Sequence, residues 1–252
     1  MMIFTLAQRE LRSLFLSPLA WAILAIVQFI LAYLFLSQLQ EFLHIQHKLS
    51  TIENAPGITE LVVVPLYASA AFIMMLVTPL LTMRLISEER RNKSLALLIS
   101  APVSMTEIII GKYIGMLGFS AIMIFMMTLM PLSLYFVGTI DIGLLLSVVL
   151  GISLLLASFI SIGLYMSSLT AQPTIAAMST FGMLLILWII DWAGGKTDGS
   201  ASGLLEYISM LRHFEAFTKG IFNSSDFVYY ILFISLFLIL SVRRLDGDRL
   251  QR

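Results

Sequence analysis

SEERRNKSLALLISAPVSMTEIIIGKYIG, from Ser87 to Gly115, decides the reading of this chain, because it sets a short charged and greasy segment between two long apolar runs. Four charges in a row, Glu88, Glu89, Arg90 and Arg91, lead into an apolar turn of Leu95, Leu97, Leu98 and Ile99 that stops at Ala101-Pro102. Proline disfavours helix at the residue before it, so a short helix is predicted to end there. Ser104 and Glu107 have capping-box spacing ahead of Ile108-Ile109-Ile110, which predicts that a long helix starts at once. A short helix tied through tight turns to two long ones can pass a push. A partner gripping Leu95, Leu97 and Leu98 while pairing with Glu88, Glu89, Arg90 or Arg91 would move both long helices together. Periodicity equally allows a helix resting on lipid, with its basic residues on headgroups.

The runs on either side are membrane spans. The chain has 252 residues, 59% hydrophobic and 12% charged, where a soluble domain of this size carries about 25% charge. About 20 apolar residues cross the hydrocarbon core, and six stretches qualify: about 19–39, 61–83, 108–137, 142–167, 174–190 and 225–242. The charge-free stretch from Asp141 to Asp191 is too long for one helix and divides at Gln172-Pro173. The expected organisation is residues 1–18 as an amphipathic helix, 19–242 as a transmembrane domain, and 243–252 as a tail. Within the domain, 84–107 is a coupling segment and 191–226 an outer segment whose later part, Leu204 to Ile221, is helical in pattern.

Lys and Arg collect on the cytoplasmic side of bacterial membranes. With both termini inside, the inner segments hold Arg9, Arg12, Arg84, Arg90, Arg91, Lys93, Lys112, Arg243, Arg244, Arg249 and Arg252, eleven of the fifteen. Only Lys48, Lys196, Arg212 and Lys219 lie outside. Ahead of the first span, Phe4, Ala7, Leu11 and Leu14 recur at helical spacing while Thr5, Gln8, Arg9 and Arg12 face the other way. This predicts an amphipathic helix in the inner interface, ending near Ser17-Pro18, with Arg9 and Arg12 at headgroup depth; a longer first span is the alternative.

Chemistry is scarce. Fifteen Lys+Arg against fifteen Asp+Glu leave no field for nucleic acid, and the absence of cysteine excludes disulfides, thiolate metal sites and Cys nucleophiles. The spans carry no acid or base near the midplane, where ion-coupled carriers place them. No Ser/His, His/Asp or metal constellation suggests catalysis within the membrane. Gly111-Lys112 is no phosphate loop, since Tyr113 follows it and Thr106 stands where the first glycine belongs. His44 and His47 could hold two legs of a metal site, with no third ligand recognisable. Met123, Met127 and Met130, with Met74 and Met75, suit Cu(I) or serve as packing. No bound metal or cofactor is expected. Ser153, Ala157 and Ser161, and Gly111, Gly115 and Gly118, form small-residue stripes for close helix packing, within the chain or across a dimer.

The central segment resembles the cytoplasmic signature of ABC-2 type transporter permeases. Glu88-Glu89-Arg90-Arg91, Ser94, Leu95-Leu97-Leu98, Pro102 and Gly111-Lys112 follow its pattern, with Lys93 where the family usually has glycine. GLYMSSLTAQPTIA, Gly163 to Ala176, and HFEAFTKGIFNSSDFVYY, His213 to Tyr230, are similar to the gliding-associated branch. The resemblance implies the six-helix ABC-2 exporter (type V) fold with an N-terminal interfacial helix. It implies a second permease copy, a cytoplasmic ATPase dimer that holds ATP and Mg, and, in that branch, an auxiliary membrane protein with a large periplasmic domain. The coupling residues would be Glu88, Glu89, Arg90, Arg91, Leu95, Leu97, Leu98 and Pro102. The implied role is movement of a substrate that the residues do not identify. The alternative is a membrane scaffold or transducer that delivers ATP-driven force to envelope partners.

Overall fold

The computed structural model describes residues 2–49, 57–94, 103–136, 140–194 and 209–250, and among them helix is the only regular structure. Helix α1, Met2–Leu16, stops at Ser17, and Pro18 opens α2, Pro18–Leu49. A π-helical turn, Thr59–Val63, runs straight into α3, Val64–Thr82. Pro65 sits in the first turn of α3, directly after the π-helical turn, and Pro79 lies inside α3. A turn at 83–86 leads to the five-residue α4, Ser87–Arg91.

Helix α5, Met105–Ser133, starts with the expected capping box: Ser104 Oγ accepts from the Glu107 N–H, and the Glu107 carboxylate accepts from the Ser104 N–H. Asp141 caps α6, Ile142–Leu169, by accepting from the Leu144 N–H at 3.1 Å. Pro173 opens α7, Pro173–Gly194. A short helix α8, Met210–Thr218, precedes the last one, α9, Ser224–Leu250.

Six helical stretches are long and apolar enough to cross a membrane: Pro18–Gln46, Thr59–Arg91, Met105–Ser133, Ile142–Leu169, Pro173–Ile190 and Ser224–Arg249. The chain is an all-α, multi-pass membrane protein. In α6, 67% of the apolar window is buried against 22% in α7, so α6 is the axis and α7 lies at the periphery. Val148, Ile152, Leu155 and Ile162 of α6 are fully enclosed, beside Leu66 and Tyr67 of α3 and Phe119 and Met127 of α5. Phe29, Phe125, Met178 and Leu232 project outward, as side chains that face lipid do.

Two elements differ from expectation. The run Arg243 to Leu250, expected as a tail, continues α9, and Leu245 within it is completely buried. Helix α1 has Ala7, Leu11 and Leu14 against the core as expected, but Phe4 is 75% exposed and Leu6 packs inward instead. The cause is the glycine stripe of α5. A Cβ on Gly111 would lie 2.6 Å from Leu6 Cβ, and one on Gly115 2.8 Å from Glu10 Cβ. Backbone approach at those glycines draws in the Leu6, Ala7 and Glu10 row and turns Phe4 away.

Candidate functional site

The ends of six elements meet at one pole of the bundle, called here the charged end, and Lys112 stands at its centre. Only about 6% of Lys112 is exposed, and its Nζ lies 3.1 Å from Glu10 Oε2 of α1 and 2.8 Å from Glu89 Oε1 of α4. An ammonium taken out of water is tolerable only when paired, and two carboxylates surround this one. The chain thereby ties α1, α4 and α5 together at one atom. Two carboxylates face one ammonium, a formal surplus of one negative charge, and Glu89 Oε2 is buried without a hydrogen-bond donor.

Arg90 makes the second set of ties. Its Nη2 donates to the Ser168 carbonyl of α6 at 2.8 Å and pairs with Asp248 of α9. Beneath it, Ser167 Oγ accepts from the backbone N–H groups of Ile86 and Ser87, each at 3.1 Å, and donates to the Met83 carbonyl at 3.1 Å. One buried hydroxyl therefore satisfies the Ile86 and Ser87 N–H groups at the turn between α3 and α4, and the Met83 carbonyl accepts from Ser87 Oγ as well. Gly163 lets α6 come this close, since a Cβ there would collide with Thr82. The stretch Gly163 to Ala176 is the bed on which the α3–α4 turn lies.

The model of the ABC-2 family transporter protein matches residues 4–247. The chain belongs to the ABC-2 transporter family. It is thus a membrane permease component of an ABC transporter, and no curated protein matches it. Within this ABC-2 protein the eight expected coupling residues divide into three groups. Glu88 and Arg91 are exposed, whereas Glu89 and Arg90 are engaged inside the chain, because each finds an opposite charge in the bundle. Leu95, Leu97, Leu98 and Pro102 lie outside the described residues. Arg9 and Arg12 are exposed on α1. The α6 stripe is intramolecular in part: the Ala157 carbonyl accepts from Tyr113 Oη at 3.1 Å, Ser161 is fully buried, and Ser153 is partly exposed.

Lys93 stands where the family pattern has glycine, and it adopts a left-handed backbone with φ 57°. Among the described residues it is the one non-glycine with positive φ. Gly111 and Lys112 sit within helix α5, with the Lys112 ammonium held by carboxylates, so the pair forms no loop that could cradle a nucleotide phosphate. Among the described residues no three His, Cys, Asp or Glu side chains converge as a metal site would require.

Residues that sequence reasoning missed are Glu10, Ser167, Ser168 and Asp248 at the charged end; Lys112 was placed in the family pattern but not as the centre of a site. Glu10 gave a signal in its place on α1, opposite the glycine stripe that begins beside Lys112. At the opposite pole the fold makes a His/Asp pair that the sequence did not announce. His213 Nδ1 of α8 meets Asp226 Oδ1 of α9 at 2.6 Å, both largely buried, with Tyr229 stacked on the imidazole at 4.0 Å. Thirteen residues and a turn separate the two, and only folding α8 back along α9 joins them.

Proposed function

We propose that this ABC-2 permease is the passive, force-receiving half of an ATP-driven transporter in a bacterial inner membrane. Both termini and the charged end face the cytoplasm, two permease copies pair, and a cytoplasmic ATPase dimer, with ATP and Mg on its own residues, docks on the segment that follows α4. The two later motifs are similar to the gliding-associated branch, and an auxiliary protein with a periplasmic domain is the partner that pattern brings. Among the described residues the middle of the spans carries no acid or base, which leaves the substrate class open.

The observation that carries this reading is the Lys112 triad together with Arg90. A displacement of α4 reaches α1 and α5 through Lys112 and α6 and α9 through Arg90, so a push delivered beside α4 moves five helices as a body. Glu88 and Arg91 remain outward to meet a partner. The test is copurification of the tagged permease with co-expressed ABC-type ATPases of the same genome. Leu97→Asp with Leu98→Asp is expected to abolish capture while leaving insertion and monodispersity intact. Unchanged capture overturns the docking assignment. A reporter after Arg252 reading external, or one after Ser200 reading internal, overturns the orientation.

A further inference from the structure

A cleft of about 330 Å³ opens at the charged end between α1, the start of α2, the end of α3 and α4. Its rim holds Arg9, Arg84 and Glu88, none of which has an ion pair among the described residues. The Lys112 triad forms the wall behind, and the floor is apolar, with Leu19, Leu80 and Leu81. Three cations and three anions line it, so the cleft is neutral overall but internally divided: two free guanidiniums face one free carboxylate and a triad with a surplus negative charge. Such a division repels neither an anion nor a cation outright and favours a molecule carrying both.

The mouth lies at membrane depth. Leu80 in its lining is 44% exposed, and Trp21, which follows the lining residues Leu19 and Ala20 but stands outside the cleft, is 55% exposed with its indole N–H donating to the Phe15 carbonyl at 2.7 Å. Exposed tryptophan with a satisfied N–H marks the headgroup level of a bilayer. The cleft therefore faces lipid sideways, with charge above and an apolar floor below.

We infer that this cleft is a binding site for a zwitterionic aminophospholipid, of which phosphatidylethanolamine is the fitting kind. The phosphate sits between Arg9 and Arg84, the primary ammonium donates to Glu88, and the acyl chains leave over Leu19, Leu80 and Leu81. Guanidinium is the natural partner for phosphate, and a carboxylate requires an N–H donor, which a trimethylated headgroup lacks. The bound lipid wedges α1 against α3 and α4, beside the segment that links the two spans. This site does not depend on which way the chain crosses the membrane.

The experiment uses the full-length chain in detergent without any ATPase, offered dioleoyl phosphatidylethanolamine, phosphatidylcholine and phosphatidylglycerol at equal concentration, with retained lipid read by native mass spectrometry. Phosphatidylethanolamine is expected to be retained about tenfold over either competitor, the worth of one hydrogen bond to a charged group. Arg84→Ala lowers retention of all three lipids, whose shared phosphate it holds, and Glu88→Gln, which breaks no ion pair among the described residues, removes the preference for phosphatidylethanolamine. Arg12→Ala, on the outer face of α1 and outside the cleft, leaves the preference unchanged. Equal retention of the three lipids, preference for phosphatidylglycerol, or an equal loss with Arg12→Ala and Arg84→Ala each overturns the site; so does the absence of any retained lipid, as a cleft reserved for protein would show.

Discussion

The two poles of the bundle are both fastened by buried polar groups, but in different ways. At the charged end, buried Lys112 and half-buried Arg90 each tie several helices, so moving α4 disturbs charged contacts that involve α1, α5 and α9 together. At the opposite pole, α8 is held by shape, by the His213–Asp226 pair and by two hydrogen bonds to its backbone carbonyls, one of them from Tyr230 Oη of α9 to the Met210 carbonyl at 2.7 Å. Phe217 fills the gap left by Gly151, where a Cβ would lie 2.6 Å from Phe217 Cβ. Ser147 Oγ donates to the Phe217 carbonyl at 2.9 Å, and His213 meets Asp226. Gly220, with φ 72°, makes the turn that lets α8 fold back beside α9. One pole is a block and the other carries a strap, so motion entering at the block reaches many helices, while the strap can open by itself.

The largest expected effect breaks the block. Lys112→Met leaves Glu10 and Glu89 facing each other without their cation, and stranding buried charge costs about 3–5 kcal/mol. The thermal midpoint in detergent should fall steeply, with loss of monodisperse protein. Adding Glu10→Gln and Glu89→Gln removes the stranded charges and should recover most of the loss, since neutral replacement of a whole buried cluster is often nearly free. If the triple variant melts no higher than Lys112→Met, the charge pairing is not what holds α1 and α4 to α5.

A smaller and local effect is expected at the strap. His213→Ala leaves Asp226 without its partner, a penalty of about 1–3 kcal/mol borne mainly by α8. The chain has no cysteine, so single introduced thiols report cleanly. Met210→Cys sits at a position only 2% exposed, and its labelling should quicken when His213→Ala is added. Ser161→Cys, in the centre of α6, should label at the same slow rate in both backgrounds. Equal acceleration at both positions would mean that α8 is part of the core and that the contrast between the poles is wrong.

The fold was legible because its signals are local. Apolar run length gave the spans, Ser104 and Glu107 gave the start of α5, and Gln172-Pro173 gave the division between α6 and α7. The glycine stripe announced a close helix approach, yet its partner was invisible, since Glu10 and Lys112 are 102 residues apart and Arg90 and Asp248 158 apart. Charge type can be read from a sequence, but which charge meets which depends on packing over such distances. Glu89 and Arg90 therefore looked as available as Glu88 and Arg91. Burial alone separates them. The tail was misread for a related reason: Arg243, Arg244, Asp246, Asp248 and Arg249 resemble a solvated end, but Leu245 and Asp248 fall on the face turned to the block.

The smallest expected effect concerns how the block is joined to what lies beyond it. Lys93 follows the last turn of α4 in the left-handed region, where a residue with a Cβ is disfavoured by about 1–2 kcal/mol. Glycine there relieves that cost but loses more freedom on folding, by about 0.5–1 kcal/mol, so Lys93→Gly should stabilise by about 0.5 kcal/mol. Lys93→Ala keeps the Cβ while deleting the charge, and should leave the thermal midpoint where it is. A gain with both substitutions would assign the effect to charge repulsion with Arg90 and Arg91. A gain with glycine alone shows that the chain leaves α4 through a fixed left-handed turn, which is the geometry a rigid block needs if force is to enter it at that point.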